Sequence, residues 1–391
     1  MSPQLLRPRT WPLQLLRRRW LQALVRTRRV ARVPAAAATT GWGAFVEWFG
    51  RLDISENAVL LGFAVAIGAA GGLGVASFYK LIDLAYVAFF RWPLEQLSGG
   101  PFLVYRPLFT GLGFYTAWLV MARFGRGHDG LNVPDVQLAV ARRGGNIPTR
   151  PALARTAASA ITLGAGGSAG SEGPVAVLGS TIGSFLGRAF RFDAGRIRVL
   201  VAAGAAAGIS AAFNAPLAGA FFALEEILGS FAVAAFPPVV VSSVVAALVS
   251  HSFYGNHPAF PVPTEYTYTL TREIFTFYPM LGLLAGCAAA LFVRFYFQME
   301  TLARRSPAPA PVLALFGGMA VGALVLGSGG LLVGDGHLSL SLDLFGRLSW
   351  YALVLLALGK IVATAITLNT GGSGGVFTPA LYIGAATGGA F

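Results

Sequence analysis

Residues 158–186 and 363–391 of this chain carry one pattern, 205 positions apart. Ala158, Ala160-Ile161-Thr162-Leu163, Gly166-Gly167-Ser168, Gly170, Pro174, Gly179 and Gly183 recur as Ala363, Ala365-Ile366-Thr367-Leu368, Gly371-Gly372-Ser373, Gly375, Pro379, Gly384 and Gly388, which makes 12 identities in 29 positions. Each copy is an apolar run, a Gly/Ser break and a restarted helix with Pro near its first turn. In an apolar chain, interrupted helices at matching places in two halves point to an ion or substrate site between them. The copies part at one chemically telling position, where the first has Glu172 and the second Phe377.

The rest of the chain fits a membrane setting. It is 55% apolar and 12% charged over 391 residues, where a soluble domain carries about 25% charged residues. Runs of ~20 apolar residues recur, so several membrane spans are expected. Segments are predicted at roughly 57–90, 106–123, 151–164, 174–190, 195–211, 215–228 and 231–252, then at 274–300, 310–327, 347–368 and 376–391. The stretches 151–164 and 215–228 reach only about 21 Å, too short to cross about 30 Å of hydrocarbon. Helices that stop at mid-depth are tolerated where their ends line a cavity or face protein. The fifty glycines suit close helix packing and intramembrane turns. The expected fold is therefore an all-α polytopic membrane protein with broken and short helices.

Residues 1–55 read as a basic leader and linker, 56–252 as a first transmembrane repeat, 253–273 as a connecting loop and 274–391 as a second repeat. The chain reaches Phe391 inside an apolar helix, so the C-terminal part of the second repeat is expected to be missing. Nine Arg fall within the first 33 residues, and the first acid is Glu47. That asymmetry fits a cytoplasmic N-terminus touching anionic headgroups of membrane lipid. An organelle transit peptide has the same composition. Nucleic acid is not an expected partner, because the remaining chain is membrane. The lone Cys287 excludes an intramolecular disulfide, and His128, His251, His257 and His337 form no ligand spacing. No metal or cofactor is expected.

Four loops carry the candidate chemistry. Glu172 lies in Gly170-Ser171-Glu172-Gly173-Pro174, at a helix start where free N–H groups and the helix dipole favour negative charge. Its carboxylate can occupy an anion site; protonated, it would let go and admit an anion. Gly375-Val376-Phe377-Thr378-Pro379 offers peptide N–H groups and no charged side chain, suiting an anion that must also leave. Gly130-Leu131-Asn132-Val133-Pro134 reads as a third helix start or a surface turn. Phe213-Asn214-Ala215-Pro216 leads to Glu225-Glu226 at a helix C-terminal end. The dipole disfavours acids there, which fits a proton entry point or a solvated interfacial pair.

Together these motifs resemble the CLC family of chloride channels and proton-coupled chloride antiporters. Residues 130–134 are similar to the family's GSGIP, 170–174 to GREGP and 375–379 to GxFxP, and the Phe-Asn-Ala-Pro stretch followed by Glu225-Glu226 fits as well; the resemblance covers about 55–391. It implies an inverted-repeat CLC-type fold and a homodimer with one pore per subunit. It makes Glu172 the gating glutamate and Glu226 the inner proton glutamate. Anion contacts would come from Leu131, Asn132 and Val133, from Gly173 towards the outside, and from the peptide N–H groups of Val376 and Phe377. The family's channels tend to lack the inner acid, so Glu226 implies antiport. Leu131 stands where the family has an anion-coordinating Ser, Ser171 replaces its usual Arg, and its pore Tyr falls beyond Phe391. The leading expectation is a multi-pass protein of the cell membrane that exchanges chloride or a similar small anion for protons. A passive gated chloride channel is the alternative. An intramembrane enzyme is remote, for lack of a nucleophile–base pair or metal cluster.

Overall fold

The computed structural model describes residues 55–96, 100–125, 131–256, 274–336 and 348–391. The predicted leader up to Ile54, the loop residues His128 to Gly130 and the stretch 257–273 of the connecting loop lie outside the described residues. Ser55–Phe391 forms one compact unit. It is built from helices, among which six are long and apolar enough to cross a membrane.

The first half begins with α1, Glu56–Tyr86, extended by a π turn over Val87–Arg91. Helix α2 is Gly100–Val120, α3 Val133–Arg142, α4 Thr149–Gly164 and α5 Glu172–Ala189. Then come α6, Ala194–Phe213, and α7, Pro216–Phe222, whose C-terminal end widens into a π turn over Ala223–Ile227. Helix α8, Phe236–Tyr254, closes the half. The second half holds α9, Ile274–Arg305, α10, Ala310–Gly327, α11, Trp350–Asn369, and α12, Phe377–Ala390.

These bounds bear out the expected segments, including the short ones: α7 has only seven residues before its π turn. The start of α8 moves. The segment expected to begin near 231 becomes helical only at Phe236, because Pro237 and Pro238 fit no helix position but the first turn. Helix α3 was foreseen only as a start.

Small residues set the packing. Helix α6 is the centre of the first half, with Gly204 on Gly179 of α5 and Gly208 on the Val175 carbonyl. The backbones touch there, leaving no room for a Cβ. Serines stitch α8 to the same helix. Ser242 Oγ donates to Ala203 O at 2.9 Å and Ser250 Oγ to Ala211 O at 2.8 Å. The hydroxyls satisfy themselves on helix carbonyls and bring the helices close in a setting without water.

The two duplicated segments clasp each other, and the clasp is reciprocal. Ser373 N–H donates to Thr162 Oγ1 at 3.0 Å, and Ser168 N–H donates to Thr367 Oγ1 at 3.1 Å. Gly170 and Gly375 exchange both peptide hydrogen bonds, each 2.8 Å long. Ser159 meets Ser373 at 2.7 Å, and Ser168 meets Thr364 at 3.3 Å. Every pair maps onto its counterpart by the 205-residue offset, the signature of a local two-fold between the halves. Phe114 of α2 lies on that axis, its Cε1 edge against Gly167 and its Cε2 edge against Gly372. Around it α2 and α10 cross antiparallel, Gly318 on Gly111 and Gly322 on Pro107. The inverted repeat is thus held by hydrogen bonds in a dry core, where each would be costly to leave unmade.

Candidate functional site

Glu172 opens α5 and is 3% exposed. One carboxyl oxygen, Oε1, accepts a hydrogen bond from Ser171 Oγ at 3.1 Å. The other, Oε2, is buried without a hydrogen bond. It reaches the other half of the clasp: a methyl placed on Gly170 would touch Glu172 Oε2, Thr378 N and Pro379 Cδ together. The carboxyl therefore sits at the start of α12, whose first-turn N–H groups have no intrahelical acceptors. A negative charge is favoured there by the helix dipole of the other half. Thr378 faces the carboxyl closely enough to act on it, yet its Oγ1 forms no hydrogen bond of proper geometry.

Glycine makes this approach possible. A Cβ on Gly375 would lie 3.0 Å from Gly173 N, and one on Gly173 would lie 3.3 Å from Gly375 Cα. Gly173, Gly375 and the residues that follow, Val376 and Phe377, are thereby gathered with Glu172. The Val376 and Phe377 side chains are about half exposed, at 46% and 49%, and Phe377 meets Phe213 edge to face.

The third loop and the second acid form a separate group. Leu131 is buried among apolar side chains of α3 and α6, and Val133 packs against two apolar cores. Asn132 caps α3: its N–H donates to Asp135 Oδ2 at 2.9 Å, and its Oδ1 accepts from Arg155 Nη2 at 2.9 Å. One turn into the same helix, Gln137 Nε2 donates to Glu226 Oε1 at 2.8 Å and to Glu226 O at 3.0 Å. Glu226 lies exposed in the π turn that ends α7. Helix α3 thus joins the loop of Leu131, Asn132 and Val133 to Glu226, while Glu172, Gly173, Val376 and Phe377 meet at the clasp.

Two cations inside the fold, Lys360 buried and Arg155 half-buried, escaped the sequence reading. Lys360 of α11 is 0% exposed; its Nζ donates to Gly334 O at 2.7 Å and Leu332 O at 3.4 Å, and lies 5.1 Å from the Tyr382 ring centroid. Gly334 in turn bonds both ways to the first duplicated loop, through Ala169 N and Gly167 O. Asp335 is within electrostatic reach of Lys360 and Glu172. Arg155 stands 205 positions before Lys360, so the two cations are repeat equivalents, each bracing a loop of its own half. A lone charge in an apolar helix is itself a pointer to function, and extending the duplication a few residues upstream would have paired them. Lys360→Met is expected to cost about 2–3 kcal/mol, by taking from the Gly334 and Leu332 carbonyls the ammonium that donates to both. A thermal melt of the detergent-purified protein unchanged within a degree would refute that bracing role. Among the described residues, no cluster of His, Cys, Asp and Glu suited to a metal ion is present.

A sequence model described as voltage gated chloride channel matches residues 113–391. The chain is 35% identical over 258 residues to a putative chloride channel protein, ClcB-like, from Ralstonia nicotianae, a match covering 65% of this chain and 59% of that protein. It is 29% identical over 377 residues to the H(+)/Cl(-) exchange transporter ClcA of Klebsiella pneumoniae subsp. pneumoniae, covering 87% of this chain and 73% of that one. The chain thus spans less than two thirds of the first of these relatives. Its fold is similar to that of a slow cyanobacterial Cl-/H+ antiporter, with a TM-score of 0.73 and 24% identity over 84% of this chain and 77% of that one.

Proposed function

Because this chain belongs to the voltage gated chloride channel family, a family of membrane transport proteins and not of enzymes, we propose that it exchanges chloride or a similar small anion for protons across a membrane. The observation that carries the reading is the placement of Glu172, a buried carboxyl lodged at the helix start of the opposite half. A carboxylate there occupies the place an anion would take. Protonation removes its charge and its reason to stay, so an anion enters as a proton binds. One group then handles both ions in turn, and exchange follows from their competition for one place. Glu226, held by Gln137, relays the proton to the cytoplasmic side. Leu131, Asn132 and Val133 line the inner approach, and Gly173, Val376 and Phe377 present peptide groups to the anion. The protein works as a homodimer in the lipid of the cell membrane with its basic N-terminus cytoplasmic, and it needs no cofactor.

The name of the ClcA relative, a proton/chloride exchanger, supports this reading. The ClcB-like relative is named a putative chloride channel, and it favours a second one, in which Glu172 gates passive flow. Proteoliposomes with a chloride gradient and a pH-sensitive dye decide between them. Uphill proton movement is expected, and chloride flux without it leaves the channel. Glu226→Gln should cut proton movement at least tenfold while chloride still flows. Unchanged coupling in that variant would take Glu226 out of the mechanism.

A further inference from the structure

The clasp holds one hydroxyl that nothing above employs. Of the candidate anion-site residues, Leu131, Val133, Val376 and Phe377 have no polar side-chain atom, and the Asn132 oxygen is held by Arg155. The Ser171 hydroxyl is engaged with Glu172 Oε1. Thr378 is different. It is 1% exposed, its Oγ1 and the Glu172 Oε2 are both buried without a hydrogen bond of proper geometry, and its peptide N meets that oxygen beside Gly170 at the first turn of a 14-residue helix. A buried hydroxyl ordinarily finds a partner, and one left without a partner calls for an explanation.

We propose that Thr378 is a specificity-determining anion ligand, whose hydroxyl grips a compact monovalent anion such as chloride in the space left when the Glu172 carboxyl swings out. The inference rests on the anion-transport reading and names a side chain for it. A hydroxyl is a point donor, and donation to a full negative charge makes a short, strong hydrogen bond. It rewards charge density, so chloride gains more from it than the diffuse thiocyanate does. The first-turn N–H groups of α12 complete the cradle. The same donor serves the closed state, in which a small rotation brings Oγ1–H onto Glu172 Oε2.

The test is calorimetric titration of chloride and of thiocyanate into the purified full chain and its variants. Thr378→Val keeps the shape and removes the donor. It should weaken chloride binding about tenfold or more and change thiocyanate binding less than twofold. Thr378→Ser, which keeps the hydroxyl, should hold chloride affinity within about threefold of the original. Chloride affinity in Thr378→Val within twofold of the original overturns the proposal. If that variant does not purify as a single species, Thr378→Ala and Thr378→Ser decide it by the same measure: alanine must lose the preference for chloride and serine must keep it. Normal chloride binding without chloride-driven proton movement refutes antiport and leaves this ligand standing. Normal exchange with chloride binding indifferent to Thr378→Val refutes the ligand and leaves antiport standing.

Discussion

Glu172→Gln is expected to abolish chloride-driven proton movement, lowering the proton-to-chloride ratio at least tenfold, to the level of empty vesicles. Glutamine keeps the length and shape of the side chain, so the clasp and the Ser171 hydrogen bond survive. What it loses is the ability to carry a charge or accept a proton. A neutral amide competes poorly for the start of α12, where helix dipole and free N–H groups attract negative charge. Anion flux should therefore persist and lose its dependence on pH. The measurement is parallel recording of chloride and pH in proteoliposomes. Flux in Glu172→Gln that still rises and falls with pH would place the gate on another group.

The second large effect concerns the fold. Gly204→Ala is expected to destabilise the protein by about 3 kcal/mol or more and to abolish a monodisperse detergent-purified species. Overpacking usually costs about 1–3 kcal/mol when side chains can shift aside. Here the added methyl would run into the peptide of Gly179, and a methyl on Gly179 would run into that of Gly204. Backbone inside two packed helices cannot give way as a side-chain tip can. The matched control is Gly62→Ala in α1, where nothing lies near the added atom. There alanine should stabilise by about 0.5–1 kcal/mol through helix propensity. Equal melting temperatures for the two variants would remove the α5–α6 contact from the account of stability.

The legibility of this protein in its sequence depended on what each feature needs to be seen. The duplication required only that residues be compared, and it located the clasp and the acid inside it. Most helix bounds followed from apolar runs and from Pro and Gly; α2 and α9 extend five or six residues past their expected ends, and at α8 an apolar run continued through residues that the following prolines keep out of the helix. Arg155 and Lys360 stayed hidden because their equivalence is one of charge, not identity, and lies just upstream of the matched block. Thr378 was passed over as the variable position of its motif; only burial without a partner distinguishes it from any other threonine. The place of Phe114 between Gly167 and Gly372 has no sequence signal, since it depends on how α2 crosses the clasp. Gln137 likewise gains its meaning only once α3 is laid beside the π turn of α7.

The exchanged peptide bonds between Gly170 and Gly375 bear on speed as well as on architecture. Each loop is the other's hydrogen-bond partner, so neither half can open its loop without breaking its neighbour's in a medium that supplies no replacement. A hinge at this point would be slow, on the scale of collective motions, microseconds to milliseconds. A single carboxyl side chain turning within a stationary frame is not bound to that clock. In the proposed exchange, turnover at the clasp would then be governed by how often ions and protons arrive there, with the backbone contributing by standing still.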